Sequence, residues 1–136
     1  MEGTAFVNPI VQDSDEVKKM NIFQQKREDI KKIIEELHNT IQKRQLLHNH
    51  IMNELEKDSN SITDLLYEVS ETRKVSKDVL ENELYQLQHE KRTEQRLYLQ
   101  DIWSLRQELL EKETQLHELE NKLHAIESLG EPLWTQ

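Results

Sequence analysis

From Ile10 to Leu129 the chain contains neither glycine nor proline; Gly3, Pro9, Gly130 and Pro132 all lie near its ends. A globular chain needs such residues wherever it reverses tightly, so a run of this length without them is either helical or unstructured. Composition does not separate the two. With 33% charged, 35% hydrophobic and 5% aromatic residues, the 136-residue chain is thin material for a compact core, and disordered chains share this make-up. Periodicity does separate them.

Counting in threes and fours from Met20 gives Met20, Phe23, Arg27, Ile30, Ile34, Leu37, Ile41, Arg44, His48, Ile51, Leu55, Asp58, Ile62, Leu65, Val69, Thr72, Ser76 and Val79. Twelve of these eighteen slots are apolar, where chance predicts about six. Alternating 3-4 spacing gathers the side chains into one narrow helical stripe, and a strict seven-residue repeat imposes a left-handed supercoil with a partner helix. Leu80, Leu84, Leu87, Leu97 and Tyr98 leave this frame, marking a register slip over 80–100. A clean repeat then resumes with Ile102, Leu105, Leu109, Lys112, Leu116, Leu119, Leu123 and Ile126.

These patterns predict an all-α fold: a coiled coil over 15–129 with short flexible tails. Asp13, Ser14 and Asp15 offer an N-cap, and Gly130 with Pro132 closes the helix near Leu129. Residues 1–14 are expected to form a disordered or docking arm carrying Phe6, Val7, Ile10 and Val11, and 130–136 a tail carrying Leu133 and Trp134.

A second expectation concerns Asp58 to Ser61, four weak helix formers in succession. Running straight through them costs about 2 kcal/mol, and Ile51, Leu55, Ile62 and Leu65 hold one register across them. A continuous helix would then be on the order of 170 Å long. Against this, Asp58 falls on a core slot, and Ser61 with Asp64 resembles a capping box that opens a new helix. A hairpin breaking at 58–61 would set Leu55 by Leu65, Ile51 by Val69, Arg44 by Ser76 and Ile41 by Val79. Both arrangements are coiled coils.

The stripe names the pairing surface: Ile30, Ile34, Leu37, Ile41, Ile51, Leu55, Ile62, Leu65, Val69, Ile102, Leu105, Leu109, Leu116, Leu119, Leu123 and Ile126. Arg44 and Asp58 at core slots would meet their own copies in a parallel homodimer, placing like charges across a partly dry seam. The partners expected are therefore other coiled-coil chains in a heteromeric or antiparallel assembly. Trp103 beside Ile102 is read as packing against a partner helix or as a binding hot spot.

Net charge of −9 argues against non-specific nucleic-acid binding. The chain has no cysteine, no secretory signal pattern and no run of about 18 apolar residues, so a cytoplasmic protein without an integral membrane segment is expected. Glu113, His117, Glu120 and His124 share a helix face, but residues seven apart lie about 10 Å apart along the axis, too far for all four to hold one ion. No metal or cofactor is expected. No phosphate-binding loop, nucleophile elbow or HExxH is present, and the expectation is a non-enzyme. In its long breaker-free helix without a globular head, the chain resembles coiled-coil proteins of cytoskeletal, centrosomal and ciliary structures. That resemblance implies a structural or scaffold subunit; a membrane-traffic tether or SNARE-like coil, and an adaptor coil within a multi-subunit complex, are the competing readings.

Overall fold

The computed structural model describes the backbone of residues 2–69 and 74–129, and the side chains of 15, 17–69 and 76–129. Over these residues it is two long helices and no strand: α1, Glu2–Glu68, and α2, Lys74–Leu129. The helices pack against each other as a helical hairpin. The chain forms two compact units, one of Asn39–Gln107 and one of Met1–His38 with Glu108–Gln136. Among the described residues no helix is long and apolar enough to cross a membrane.

The helix starts at Glu2 rather than near residue 15, so Pro9 lies within it, where its missing N–H removes one i→i−4 hydrogen bond. The apolar side chains named for the N-terminal arm, and the tail with Leu133 and Trp134, lie outside the described residues. At its other end α2 stops at Leu129, immediately before Gly130.

α1 runs straight through Asp58 to Ser61 and ends at Glu68, with Val69 N–H donating to the Leu65 carbonyl at 3.1 Å. The reversal thus falls between Glu68 and Lys74, not at 58–61. Hydroxyls knit the weak stretch into the helix: Ser61 Oγ donates to the Lys57 carbonyl at 3.0 Å and Thr63 Oγ1 to the Ser59 carbonyl at 2.8 Å. Such back-bonding occupies side chains that would otherwise compete for the backbone. Local propensity does not choose between the two reversal points, since Val69, Ser70 and Thr72 are also weak helix formers. Charge does choose. A turn at 58–61 would lay Arg44 beside Ser76, whereas the later turn lays it against Glu94, 2.8 Å away.

In the 39–107 unit the inward positions of α1 are Ile41, Arg44, His48, Ile51, Leu55, Ser59, Ile62 and Leu66. After Leu55 the stripe therefore steps by four to Ser59, not by three to Asp58. Asp58 is exposed, Ser59 is buried, and Leu65 is 47% exposed while its neighbour Leu66 turns inward. Placing Asp58 and Leu65 in the core is corrected by this step. On α2 the inward positions are Leu80, Leu84, Leu87, Lys91, Glu94, Tyr98, Ile102 and Leu105, with Ile102 buried. The slip expected over 80–100 is a matching 3-4-4 step, Lys91, Glu94, Tyr98, Ile102. Val79, Ser76 and Leu97 face outward. In the other unit Leu37, Leu119 and Leu123 are buried, and Ile30, Ile34, Leu109, Leu116 and Ile126 are half-buried.

Two outcomes follow. Spin labels on exposed Asn53 and Arg92 will lie about 10–25 Å apart, because packed helix axes are about 8–10 Å apart; one uninterrupted helix would hold them about 60 Å apart, and a pulsed dipolar measurement reads the difference. Ser59 is 6% exposed and its Oγ has no hydrogen-bond partner, so Ser59→Ala will raise stability by about 0.5–1 kcal/mol in urea unfolding.

Candidate functional site

The most unusual chemistry of the chain lies inside the seam of the 39–107 unit, where charged and aromatic side chains occupy slots that a coiled coil fills with leucine. α1 supplies Arg44 and His48, one turn apart on its inward stripe; α2 supplies Glu94 and Tyr98 in the same relation. Arg44 Nη2 lies 2.8 Å from Glu94 Oε1, and Arg44 Nε donates to Asp101 Oδ2 at 3.0 Å. His48 Nδ1 lies 3.2 Å from the same Glu94 oxygen. The imidazole stacks on the Tyr98 ring, with centroids 3.9 Å apart and planes 9° from parallel, and the Arg44 guanidinium carbon lies 5.4 Å from that ring's centre. One turn further, Lys91 Nζ pairs with Glu56 Oε2.

This is a polar layer with its own counter-charges. The like-charge conflict expected for Arg44 in a parallel pair is resolved within the chain, because the antiparallel return of α2 delivers Glu94 and Asp101. The hydrogen bond to Asp101 is the largest cause raising the Arg44 pKa above the ordinary arginine value; partial burial opposes it, and the Glu94 hydrogen bond and both carboxylate charges add to it. A raised pKa means that the stabilisation is fully present below the unfolded arginine pKa and is lost only as pH climbs through the higher folded one. The guanidinium therefore stays charged across the whole neutral range.

Glu94 and Asp101 are not equivalent. The Glu94 side chain is 11% exposed and that of Asp101 is 54% exposed, so water screens the Asp101 contact and weakens its worth to stability. Glu94 also holds two partners, Arg44 and His48. Surface pairs elsewhere, Lys57 with Glu54 at 3.6 Å and Lys31 with Glu28 at 3.9 Å, are exposed i,i+3 contacts of small worth.

The residues named from sequence as a partner-binding stripe therefore sit as follows. Ile41, Ile51, Leu55, Ile62, Val69, Ile102 and Leu105 are half-buried or buried in one unit; Ile30, Ile34, Leu37, Leu109, Leu116, Leu119, Leu123 and Ile126 are so in the other; Leu65 alone among them is exposed. Sequence reasoning missed Lys91, Glu94 and Tyr98 as inward residues. The readable signal was a carboxylate one turn from a tyrosine at 3-4-4 spacing, opposite in charge to Arg44. It also left Trp103 beside the seam, whereas the indole is 66% exposed.

Two open grooves of about 410 and 420 Å³ run beside the seam, the first lined by Asp58, Ile62, Glu83, Leu87 and Glu90 among others, the second by Ile51, Leu55, Glu90 and Leu97 among others. No group of three or more His, Cys, Asp or Glu side chains placed to hold a metal ion occurs among the described residues. Comparison of the chain with protein-family models, curated proteins and solved structures finds no match.

Removing Glu94 takes the more buried of its two carboxylates from a guanidinium that is only 14% exposed and leaves it the solvent-screened Asp101 contact. Glu94→Ala will cost about 2 kcal/mol and Asp101→Ala less than about 1 kcal/mol in chemical unfolding. Equal losses from the two would contradict the ranking by burial.

Proposed function

We propose that this chain is a non-enzymatic scaffold subunit, a preformed antiparallel hairpin that offers its outer helical faces to other helices in a larger assembly. The observation that carries this reading is a division of labour among its apolar residues. The seam is covered by the chain's own two helices and held in register by the Arg44–Glu94 layer, while large apolar side chains remain outside: Trp103 at 66%, Leu99 at 68% and Leu46 at 62% exposure. Exposed aromatic and leucine side chains on a rigid helix are the usual anchors of helix-on-helix recognition. A cytoplasmic setting in cytoskeletal, centrosomal or ciliary structure is the context we infer from the breaker-free coiled-coil composition.

The adaptor reading gains from Trp103, which stands ready as a hot spot on α2. A SNARE-like coil gains less, because the arginine layer such a reading would share with partner helices is completed here by Glu94 and Asp101 of the same chain.

Proximity labelling in cells tests the proposal. Leu99→Ala with Trp103→Ala, both on an exposed face, will leave the helical circular-dichroism signal unchanged and remove more than about half of the labelled neighbours. An unchanged set of neighbours would sink the assignment of this face.

A further inference from the structure

The 39–107 unit carries two outer faces of opposite character. On α2, Arg92, Arg96, Leu99, Trp103 and Arg106 follow 4-3-4-3 spacing and are all exposed. At about 100° per residue they share one arc, and between Tyr85 and Arg106 that arc bears no carboxylate. The acids nearby, Glu94 and Asp101, are engaged with Arg44. A chain of net charge −9 thus concentrates three arginines around a tryptophan and a leucine, and none of the three makes an ion pair among the described residues.

The second face is the grooved one. Asp58 of α1 and Glu83 and Glu90 of α2 rim the 410 Å³ groove, whose floor includes Ile62 and Leu87. Leu97, 43% exposed, continues it with Glu90 into the second groove. These three acids make no ion pair among the described residues. Glu83, Glu90 and Leu97 lie about 160° around α2 from the arginine face, so one copy cannot close its own two faces on each other. Their lengths agree: Glu83 to Leu97 and Arg92 to Arg106 each span fourteen residues, about 21 Å.

We infer that the 39–107 unit binds a second copy of itself, the Arg92, Arg96, Leu99, Trp103 and Arg106 face of one copy seating on the acid-rimmed groove of the next. Trp103 and Leu99 cover the apolar floor, and the arginines meet Asp58, Glu83 and Glu90. Because each copy uses a different face in each contact, the interface is heterologous, and repetition adds copies in a row rather than stopping at a two-fold dimer. The inference rests on the scaffold reading and names one of the helical partners in it.

Sedimentation of the purified full chain provides the test. At low salt the wild type will grow beyond a dimer as concentration rises, and raising the salt will reverse this. Arg92→Ala with Arg96→Ala, and separately Glu83→Lys with Glu90→Lys, will each give a monomer with unchanged helical circular dichroism. Mixed one to one, the two variants will form a dimer and nothing larger, since each retains one good face. Trp103→Ala placed in the Glu83/Glu90 variant will weaken that mixed dimer by roughly 30-fold. A wild type that stays monomeric, variants that still grow, or a mixed dimer indifferent to Trp103→Ala would each overturn the proposal. All arms use the chain alone, so their failure leaves the neighbours labelled in cells standing. Loss of those neighbours would leave self-association to be judged by sedimentation.

Discussion

Two narrow apolar stripes, each too long to remain wet, govern this molecule. A single helix with such a stripe owes little to propensity and depends on whatever covers it. Here the cover is the other half of the same chain, laid antiparallel. Fully burying a leucine such as Leu123, which is 3% exposed, stabilises by about 1.5–3 kcal/mol. Summed along the seam, this outweighs the few tenths of a kilocalorie by which each poor helix former objects. That is why Asp58 to Ser61 remain helical.

Apolar burial fixes that the helices pair, but it tolerates slippage by a heptad, since one leucine resembles the next. The polar layer removes that tolerance. Shifting α2 by seven residues so that Asp101 takes its place opposite Arg44 would carry Glu94, 11% exposed here, away from both Arg44 and His48, and would unstack His48 from Tyr98. Breaking such a pair is strongly unfavourable, even though the intact pair adds little over a well-packed apolar one. The layer is thus a specifier of register first and a stabiliser second, the role that single polar core residues fill in other coiled coils. His48 and Tyr98 add shape to charge, because a stacked pair of rings fits one offset only.

The helical character was legible in the sequence, because a 3-4 spacing sustained from Met20 to Val79 suits a packed helix and little else. An antiparallel hairpin was legible as one of two arrangements. The place of its turn was not. Nothing between Glu68 and Lys74 is a glycine or proline, and the polar run at 58–61 looks more like a break than the true one does. Position was encoded at long range, in the complementarity of Arg44 to Glu94, which a reading that moves along one helix at a time does not weigh. The misplacement of Leu65 has a local cause. Leu65 and Leu66 are adjacent and equally greasy, and continuing the earlier frame selects the first, whereas the extra residue between Leu55 and Ser59 rotates the second inward. The same step moved Asp58 out and Ser59 in.

The paired four-residue steps have a geometric effect. From Ile41 to Ser59, and from Leu84 to Ile102, each inward line advances eighteen residues in five turns, or about 3.6 per turn, the natural period of an undistorted α-helix. A pure heptad run advances about 3.5 per turn and must coil about its neighbour. Along this stretch the two helices can therefore run side by side without winding, and what projects from their backs forms a straight ledge instead of a spiral. A visiting helix can lie flat along such a ledge without being bent to follow it.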